Sequence, residues 1–142
     1  MLIDADRIRE LVPHSERMCL LERVLDWSAK SIRCETNGHL DPDNPLRRNG
    51  RLSSICGIEY AAQAMALHSA LGAAKGDSAT RHGYLASARN TRCHTATLDV
   101  YKHPLFVDAE LVYTDGSRVI YSFSIECGGA SLVTGRAAVV LG

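Results

Sequence analysis

With 142 residues, 46% of them hydrophobic and 23% charged, the chain is long enough for one substantial core and too short for two ordinary domains. Sixteen basic and sixteen acidic residues leave a formal net charge of zero, which argues against a nucleic-acid groove and against a solvated acidic tail. The first ten residues place acids early and hold no uninterrupted apolar run, so no signal peptide is expected; no stretch approaches a membrane span, and the expected location is cytoplasmic.

Residues 4–12 predict a short helix with Ile8, Leu11 and Val12 on one side, closed by Pro13. Residues 19–27 read as a strand interrupted by Glu22, Arg23 and Asp26, and residues 32–38 as a second, weaker one. Residues 41–50 gather prolines, Asx residues and a glycine, which predicts a loop. Ser53 and Ser54 are N-cap types just before an apolar helix expected to run to about Leu71, with Gly72, Gly76 and Asp77 ending it.

From Tyr84 onward the pattern changes to period two. Leu105, Val107, Ala109, Leu111 and Tyr113 alternate with Phe106, Asp108, Glu110 and Val112; Val119, Tyr121, Phe123 and Ile125 alternate with Ile120, Ser122, Ser124 and Glu126. Asp115-Gly116 and Gly128-Gly129 lie between the runs as hairpin turns, and residues 132–141 form a last strand. One long helix set between early strands and a late antiparallel meander is an α+β arrangement, and its layout suggests a hot-dog fold over residues 1–142.

The helix carries the most informative residue. Gly57-Ile-Glu-Tyr-Ala-Ala-Gln-Ala-Met-Ala-Leu67 is apolar on most sides, so it is expected to be buried on most sides. Desolvation disfavours the charged form of a carboxyl group, which would make Glu59 a neutral proton donor near pH 7. The alternative, that Glu59 sits at the helix edge or is a structural acid satisfied by a hydrogen bond, stays open. Five scattered cysteines read as small core or near-core residues of a reducing compartment. Cys34 with His39, and the pair Cys93-His94, lack the paired spacing of a zinc site, so no metal is expected.

Val12-Pro-His-Ser-Glu-Arg-Met-Cys-Leu-Leu-Glu-Arg-Val-Leu-Asp26 resembles the opening of hot-dog 3-hydroxyacyl-[acyl carrier protein] dehydratases, a Leu-Pro-His followed by an apolar run into Asp-Arg-Val-Leu. Tyr84-Leu-Ala-Ser87 is similar to that family's Tyr-Leu-Ala-Gly at the start of its third strand, and the closing strand matches as well. The resemblance spans nearly the whole chain. It is closer still to the divergent dehydratase-like proteins of bacterial polyene-pigment and related fatty-acid-like pathways.

That resemblance implies specific roles. Gly38-His39-Leu-Asp-Pro-Asp-Asn-Pro45 stands where the family has its catalytic histidine loop, and Glu59-Tyr-Ala-Ala-Gln63 where it has its acid. His39 is thereby implied as base, Glu59 as acid, and Gln63 as a residue one turn along the same helix face. The family's Val-Met-Pro-Gly is replaced by Leu46-Arg-Arg-Asn-Gly50, and the spacing from His39 to Glu59 is longer than in the family.

The implied reaction is removal of water from a 3-hydroxyacyl thioester. A neutral imidazole takes the C2 proton, a neutral carboxyl group protonates the leaving oxygen, and fixed donors meet the charge on the thioester carbonyl. Backbone N–H groups from Ser53 to Gly57 are the expected donors, with Gly57 and Gln63 lining the substrate. Arg47, Arg48 and Arg51 are a basic cluster for a phosphopantetheine phosphate or an acidic carrier protein, or else a solvated loop. The family builds its site in a tunnel between two subunits and needs no cofactor, so a homodimer, a higher oligomer or a heterodimer with a paralogue is expected.

Among other residues, His14 is expected to cap a turn, His68 to be packed or hydrogen-bonded, and Cys56 to be a small core residue. His82, His94 and His103 have no evident partner. Two other functions remain: a thioesterase using a helix carboxylate to activate water, and a non-catalytic subunit pairing with an active paralogue.

Overall fold

The computed structural model describes residues 3–11, 19–74 and 83–141. The elements in chain order are α1 (Ala5–Leu11), β1 (Arg23–Trp27), β2 (Ser31–Thr36), α2 (Gly57–Ala74), β3 (Gly83–Cys93), β4 (Leu105–Thr114), β5 (Arg118–Cys127) and β6 (Ala130–Leu141). All strand pairs are antiparallel, in the order β1-β2-β4-β5-β6-β3. The helix crosses the sheet between β2, near one edge, and β3, at the other. This is the expected α+β hot-dog layout.

The alternation read from the sequence decides which face meets the helix. Leu105, Val107 and Ala109 of β4 and Val119, Tyr121, Phe123 and Ile125 of β5 are buried, and join Tyr60, Ala61, Ala64, Met65 and Leu67 of α2 in one core. A bulge between Leu111 and Tyr113 breaks the expected phase. It turns Tyr113 to the outside, 48% exposed, where period two had placed it inward. Both turns form as expected. Gly128 and Gly129 take φ of 57° and 84°, the positive pair that a two-residue hairpin turn of right-handed twist requires.

Boundaries moved for identifiable reasons. Residues 19–22 stay outside β1 although Leu20 and Leu21 are buried. Side chains replace the ladder there: Leu20 N–H donates to Gln63 Oε1 at 2.8 Å, and Leu20 C=O accepts from Thr36 Oγ1 at 2.8 Å. Neither Ser53 nor Ser54 starts α2 as a cap; Ser53 makes no side-chain cap bond, and a 3₁₀ turn over Ser54–Cys56 leads into the helix instead. The helix also runs through Gly72 to Ala74, because one interior glycine costs only about 1 kcal/mol and buried Leu71 holds that turn. Of the cysteines, Cys34 and Cys127 are buried, whereas Cys93 is exposed on β3 and so departs from the core role expected of it.

Two glycines mark close approaches. A Cβ on Gly57 would lie 2.7 Å from Ile125 Cδ1 and 3.2 Å from Val133 Cγ2, which is how the start of α2 comes to rest directly on β5 and β6. A Cβ on Gly135 would lie 2.8 Å from the Phe123 ring and 3.2 Å from the Thr91 backbone, where β3 bulges between Arg89 and Arg92. The phenyl ring of Phe123, paired with Gly135 across β5 and β6, covers the bare backbone. Backbone cannot yield as a flexible side-chain end can. Gly135→Ala is therefore expected to destabilise the fold by roughly 1–3 kcal/mol, read as a lower melting temperature; an unchanged value would mean that β3 shifts freely.

Candidate active site

His39 lies in a 3₁₀ turn, Gly38–Leu40, that follows β2, and its exposure is 0%. Its Nε2–H donates to the carbonyl of Tyr101 at 2.8 Å, while Nδ1 is buried with no hydrogen-bond partner among the described residues. Burial pushes the imidazole below its ordinary pKa of 6.5, and Arg47 adds to this. The backbone of Tyr101 and of His103, together with Glu22, favours the cation but does not outweigh desolvation. With the Nε2 proton held by a carbonyl, the neutral ring keeps its lone pair on Nδ1. That is the protonation state of a base.

Three chains of hydrogen bonds hold the turn. Gly38 N–H donates to Thr36 Oγ1, the same hydroxyl that reaches Leu20, and Leu20 is bonded to Gln63 of α2. Asn44 Nδ2 donates to the Gly38 carbonyl at 2.9 Å and to the Tyr60 hydroxyl at 3.0 Å, a second link to α2 one residue beyond Glu59. Arg47 supplies the third: Nε, Nη1 and Nη2 donate to the carbonyls of Asp41, Gly50 and His39. Asp99, between β3 and β4, lies 3.9 Å from Arg47 and 3.7 Å from Arg51 and accepts from Leu52 N–H. Burial raises the Asp99 pKa, but the Leu52 and Asp99 N–H groups and the two arginines outweigh it and hold it below the ordinary value.

These contacts change the expected roles of several residues. Gln63, fully buried, ties α2 to the segment before β1. Arg47 spends its donors inside the loop, while Arg48 is exposed and its guanidinium donates to the carbonyls of Pro45 and Arg47. Of the N–H groups expected to meet the thioester oxygen, that of Ser54 donates to Ala96, that of Cys56 to Ser53 and that of Gly57 to Ser54. The 3₁₀ turn consumes donors that a side-chain-capped helix start would have left free.

Glu59, in the first turn of α2, is half-buried rather than buried on most sides. The sheet covers only one face of the helix, and Ile58, Glu59, Ala62 and Ala66 lie away from it with Ile55 53% exposed. The neighbouring Cys56 thiol is pushed up chiefly by burial and also by Glu59. His68 packs as expected, between the Tyr121 hydroxyl at 2.8 Å and the Ser28 carbonyl at 2.9 Å. His94 and His103 are exposed, and His14 and His82, with residues 12–18 of the opening motif, lie outside the described residues. Among the described residues no three His, Cys, Asp or Glu side chains come together as metal ligands, and no helix is long and apolar enough to cross a membrane.

Thr36, Asn44, Tyr60, Asp99 and the Tyr101 carbonyl had no distinguishing sequence signal. The one available hint was Asn44 between two prolines, a residue type that bonds nearby backbone in turns.

A six-stranded antiparallel sheet wrapped on one long helix defines a hot-dog protein, and its candidate site residues are His39, in the turn after β2, and Glu59, in the first turn of the helix. The chain belongs to the ApeP-like family, whose description is ApeP dehydratase and which matches residues 6–141. It is similar to a chain of the dehydratase heterocomplex ApeI:P from Xenorhabdus doucetiae, at 26% identity and a TM-score of 0.84, over 95% of this chain and 90% of that one. Its fold is also that of a mutant thioesterase from Pseudomonas aeruginosa, at 11% identity and a TM-score of 0.67 over 98% and 94% of the two chains. Zebra fish thioesterase superfamily member 2 shares the fold at 15% identity and a TM-score of 0.66, over 96% and 94%. No curated protein matches the chain.

The two buried histidines make a pH prediction. Burial lowers the pKa of His39 and of His68 from 6.5, although the backbone of Ser28 and Ala29 favours the His68 cation. The unfolded chain then binds protons that the folded chain does not, so stability is fully present above the unfolded pKa and falls as pH drops below it. The melting temperature is expected to be level from about pH 8 to 7 and to fall between about pH 6.5 and 5. A flat or rising profile over that lower window would show that neither ring is held neutral.

Proposed function

We propose that the chain is a subunit of a dehydratase that removes water from 3-hydroxyacyl thioesters carried on an acyl carrier protein, with His39 as base and Glu59 as acid. The observation that carries this reading is the buried imidazole of His39, with Nε2 2.8 Å from the Tyr101 carbonyl and Nδ1 without a hydrogen-bond partner among the described residues. A buried nitrogen without a partner calls for an explanation, and a bound acyl chain offering its C2 proton supplies one.

In the reaction, Nδ1 takes the C2 proton and the released electron pair forms the C2–C3 double bond as the C3–O bond breaks. The carboxyl proton of the facing subunit's acid goes to the departing oxygen, giving water, and Glu59 does the same at the site where the partner supplies the base. The Tyr101 carbonyl, still accepting from Nε2, steadies the imidazolium that forms. Proton return from the imidazolium to that carboxylate, across the subunit boundary, then restores both groups. The positive end of the α2 dipole favours the charge on the thioester oxygen. Arg48 and Arg51, exposed beside the loop, are the cations open to a carrier's phosphate or acidic surface.

The family resemblance sets base and acid on facing subunits, so His39 and Glu59 of one chain serve different sites of a pair. The similar chain in ApeI:P belongs to a heterocomplex, and a paralogous hot-dog chain is the partner proposed for this one. A second reading, a non-catalytic subunit supporting an active paralogue, is favoured by one observation: the His39 ring has no exposure at all in the single chain.

A short 3-hydroxyacyl thioester incubated with the chain, alone and with its paralogous partner, tests this by following enoyl product and free thiol together. Enoyl thioester without thiol is expected. In the chain paired with itself, His39→Gln is expected to lower turnover about 10²- to 10⁴-fold, and Glu59→Gln about 10²-fold or more, with the fold retained, whereas in the mixed pair each substitution silences only the site its residue serves. Thiol release without enoyl product would identify a thioesterase. Dehydration by the pair that survives both substitutions in this chain would leave it the non-catalytic role.

A further inference from the structure

The outer face of the sheet, away from α2, gathers its charges by sign. Arg118 and Ile120 of β5 alternate with buried Val119 and Tyr121, and Arg136 and Ala138 of β6 with buried Ala137 and Val139, so both pairs point away from the core. On the β1-β2-β4 side the arginines are neutralised: Arg23 pairs with Glu35, and Arg33 with Asp108 at 2.9 Å and Glu126 at 2.6 Å. On the other side, β6 and β3 contain Arg136, Arg89 and Arg92 and no acid. None of these three guanidinium groups, nor that of Arg118, makes a salt bridge among the described residues.

Arg89, Arg118 and Arg136 line one depression of about 280 Å³, together with Ser87 and Asn90. Arg89 and Arg136 are paired directly across the β3–β6 ladder, and like charges so placed destabilise a sheet. The backbone departs from regular pairing at the same place. Between the pairs Arg89–Arg136 and Arg92–Thr134, β3 has one residue more than β6, and Asn90, inside that bulge, takes a φ of 54°. Without the bulge Arg92, at an odd spacing from Arg89, would face the other side of the sheet; with it both stand on the outer face. Three features that each cost stability thus meet at one spot: opposed like charges, a bulge and a left-handed residue. Bulges that re-aim side chains and residues held in sparse backbone regions gather at ligand sites.

We infer that this depression binds a small phosphate-bearing anion. A guanidinium is a planar fork of donors that meets two oxygens of a phosphate at once, and guanidinium groups around one hollow suit a multiply charged tetrahedral anion. A single carboxylate would leave most of the positive charge uncompensated, whereas a phosphate or diphosphate offsets it. The Ser87 hydroxyl and the Asn90 amide supply neutral donors beside the arginines. None of His39, Arg48, Arg51 or Glu59 lines the depression, so the site is separate from the candidate active site and its loop. A bound anion removes the Arg89–Arg136 repulsion, which couples occupancy of the site to stability of the fold.

The test is calorimetric titration and thermal melting of the full chain with sodium diphosphate and with adenosine monophosphate, against NaCl at matched, low ionic strength. Diphosphate at about ten times its Kd is expected to raise the melting temperature by roughly 3–6 °C above the NaCl sample. Arg136→Gln is expected to weaken diphosphate binding about tenfold or more. Without phosphate the same variant is expected to melt above the unaltered chain, because the repulsion is gone. Arg118→Gln is expected to weaken binding likewise, and serves if Arg136→Gln fails to fold. Arg48→Gln/Arg51→Gln is expected to leave diphosphate binding unchanged. Tighter binding of diphosphate assigns the site to a free phosphate and tighter binding of the nucleotide to a nucleoside phosphate; either supports the inference. It is overturned by a melting temperature that diphosphate raises no more than NaCl does, or by binding that survives both Arg136→Gln and Arg118→Gln. Binding lost in the Arg48→Gln/Arg51→Gln chain instead overturns it too. So does an Arg136→Gln chain whose sole change is weaker self-association in sedimentation, which would make the depression a protein contact.

Discussion

Thr36, Asn44, Tyr60 and Gln63 carry polar contacts through a core that is otherwise apolar, and the position of His39 depends on them. Each is buried, at 8% exposure or less, and each meets its partner at 2.8–3.0 Å. In so dry a setting an unmade hydrogen bond costs about 1–3 kcal/mol, so the turn has few other places to sit. The same dryness keeps the imidazole neutral. One constraint, full satisfaction of a small buried network, thus fixes both the place and the charge of the candidate base.

The approach of α2 to the sheet makes that network possible. Small residues on the helix, with Gly57 resting on Ile125 and Val133, let its backbone come close enough for Gln63 to reach Leu20 and for Tyr60 to reach Asn44. A bulkier face would lift the helix and break both links. The far face of α2, with Glu59, Ala62 and Ala66 half-buried, is also made of short side chains apart from Ile58 and the glutamate. It is shaped for close approach by a second molecule, as the resemblance to paired hot-dog enzymes implies.

Arginine has two distinct uses in the chain. Arg47 is an internal strut, its guanidinium spread over three backbone carbonyls with Asp99 behind it, a geometry that a planar fork of donors suits and an ammonium would not. The guanidinium groups of Arg89, Arg92, Arg118 and Arg136 make no salt bridge among the described residues and gather at one side of the sheet. Composition alone treats these arginines as equal members of a neutral total.

Periodicity was enough to read the meander, its two turns, the long helix and the hot-dog layout, because alternation at period two and a long apolar helical run depend only on neighbours along the chain. The resemblance singled out His39 and Glu59, and the structure supports a buried neutral state for the first while giving the second a half-exposed setting. Local sequence could not place Tyr113, since a bulge one residue earlier reverses every later side chain. Nor could it foresee that Arg47, read as a ligand for phosphate, turns inward to the carbonyls of its own loop, or that the Tyr101 carbonyl, 62 residues along, holds the His39 proton. By itself the sequence determined which residues are apolar, at what period, and where the chain turns. Which donor meets which acceptor was decided only in the tertiary structure, because a buried polar group takes whatever partner packing brings within 3 Å, however far away it lies in the chain.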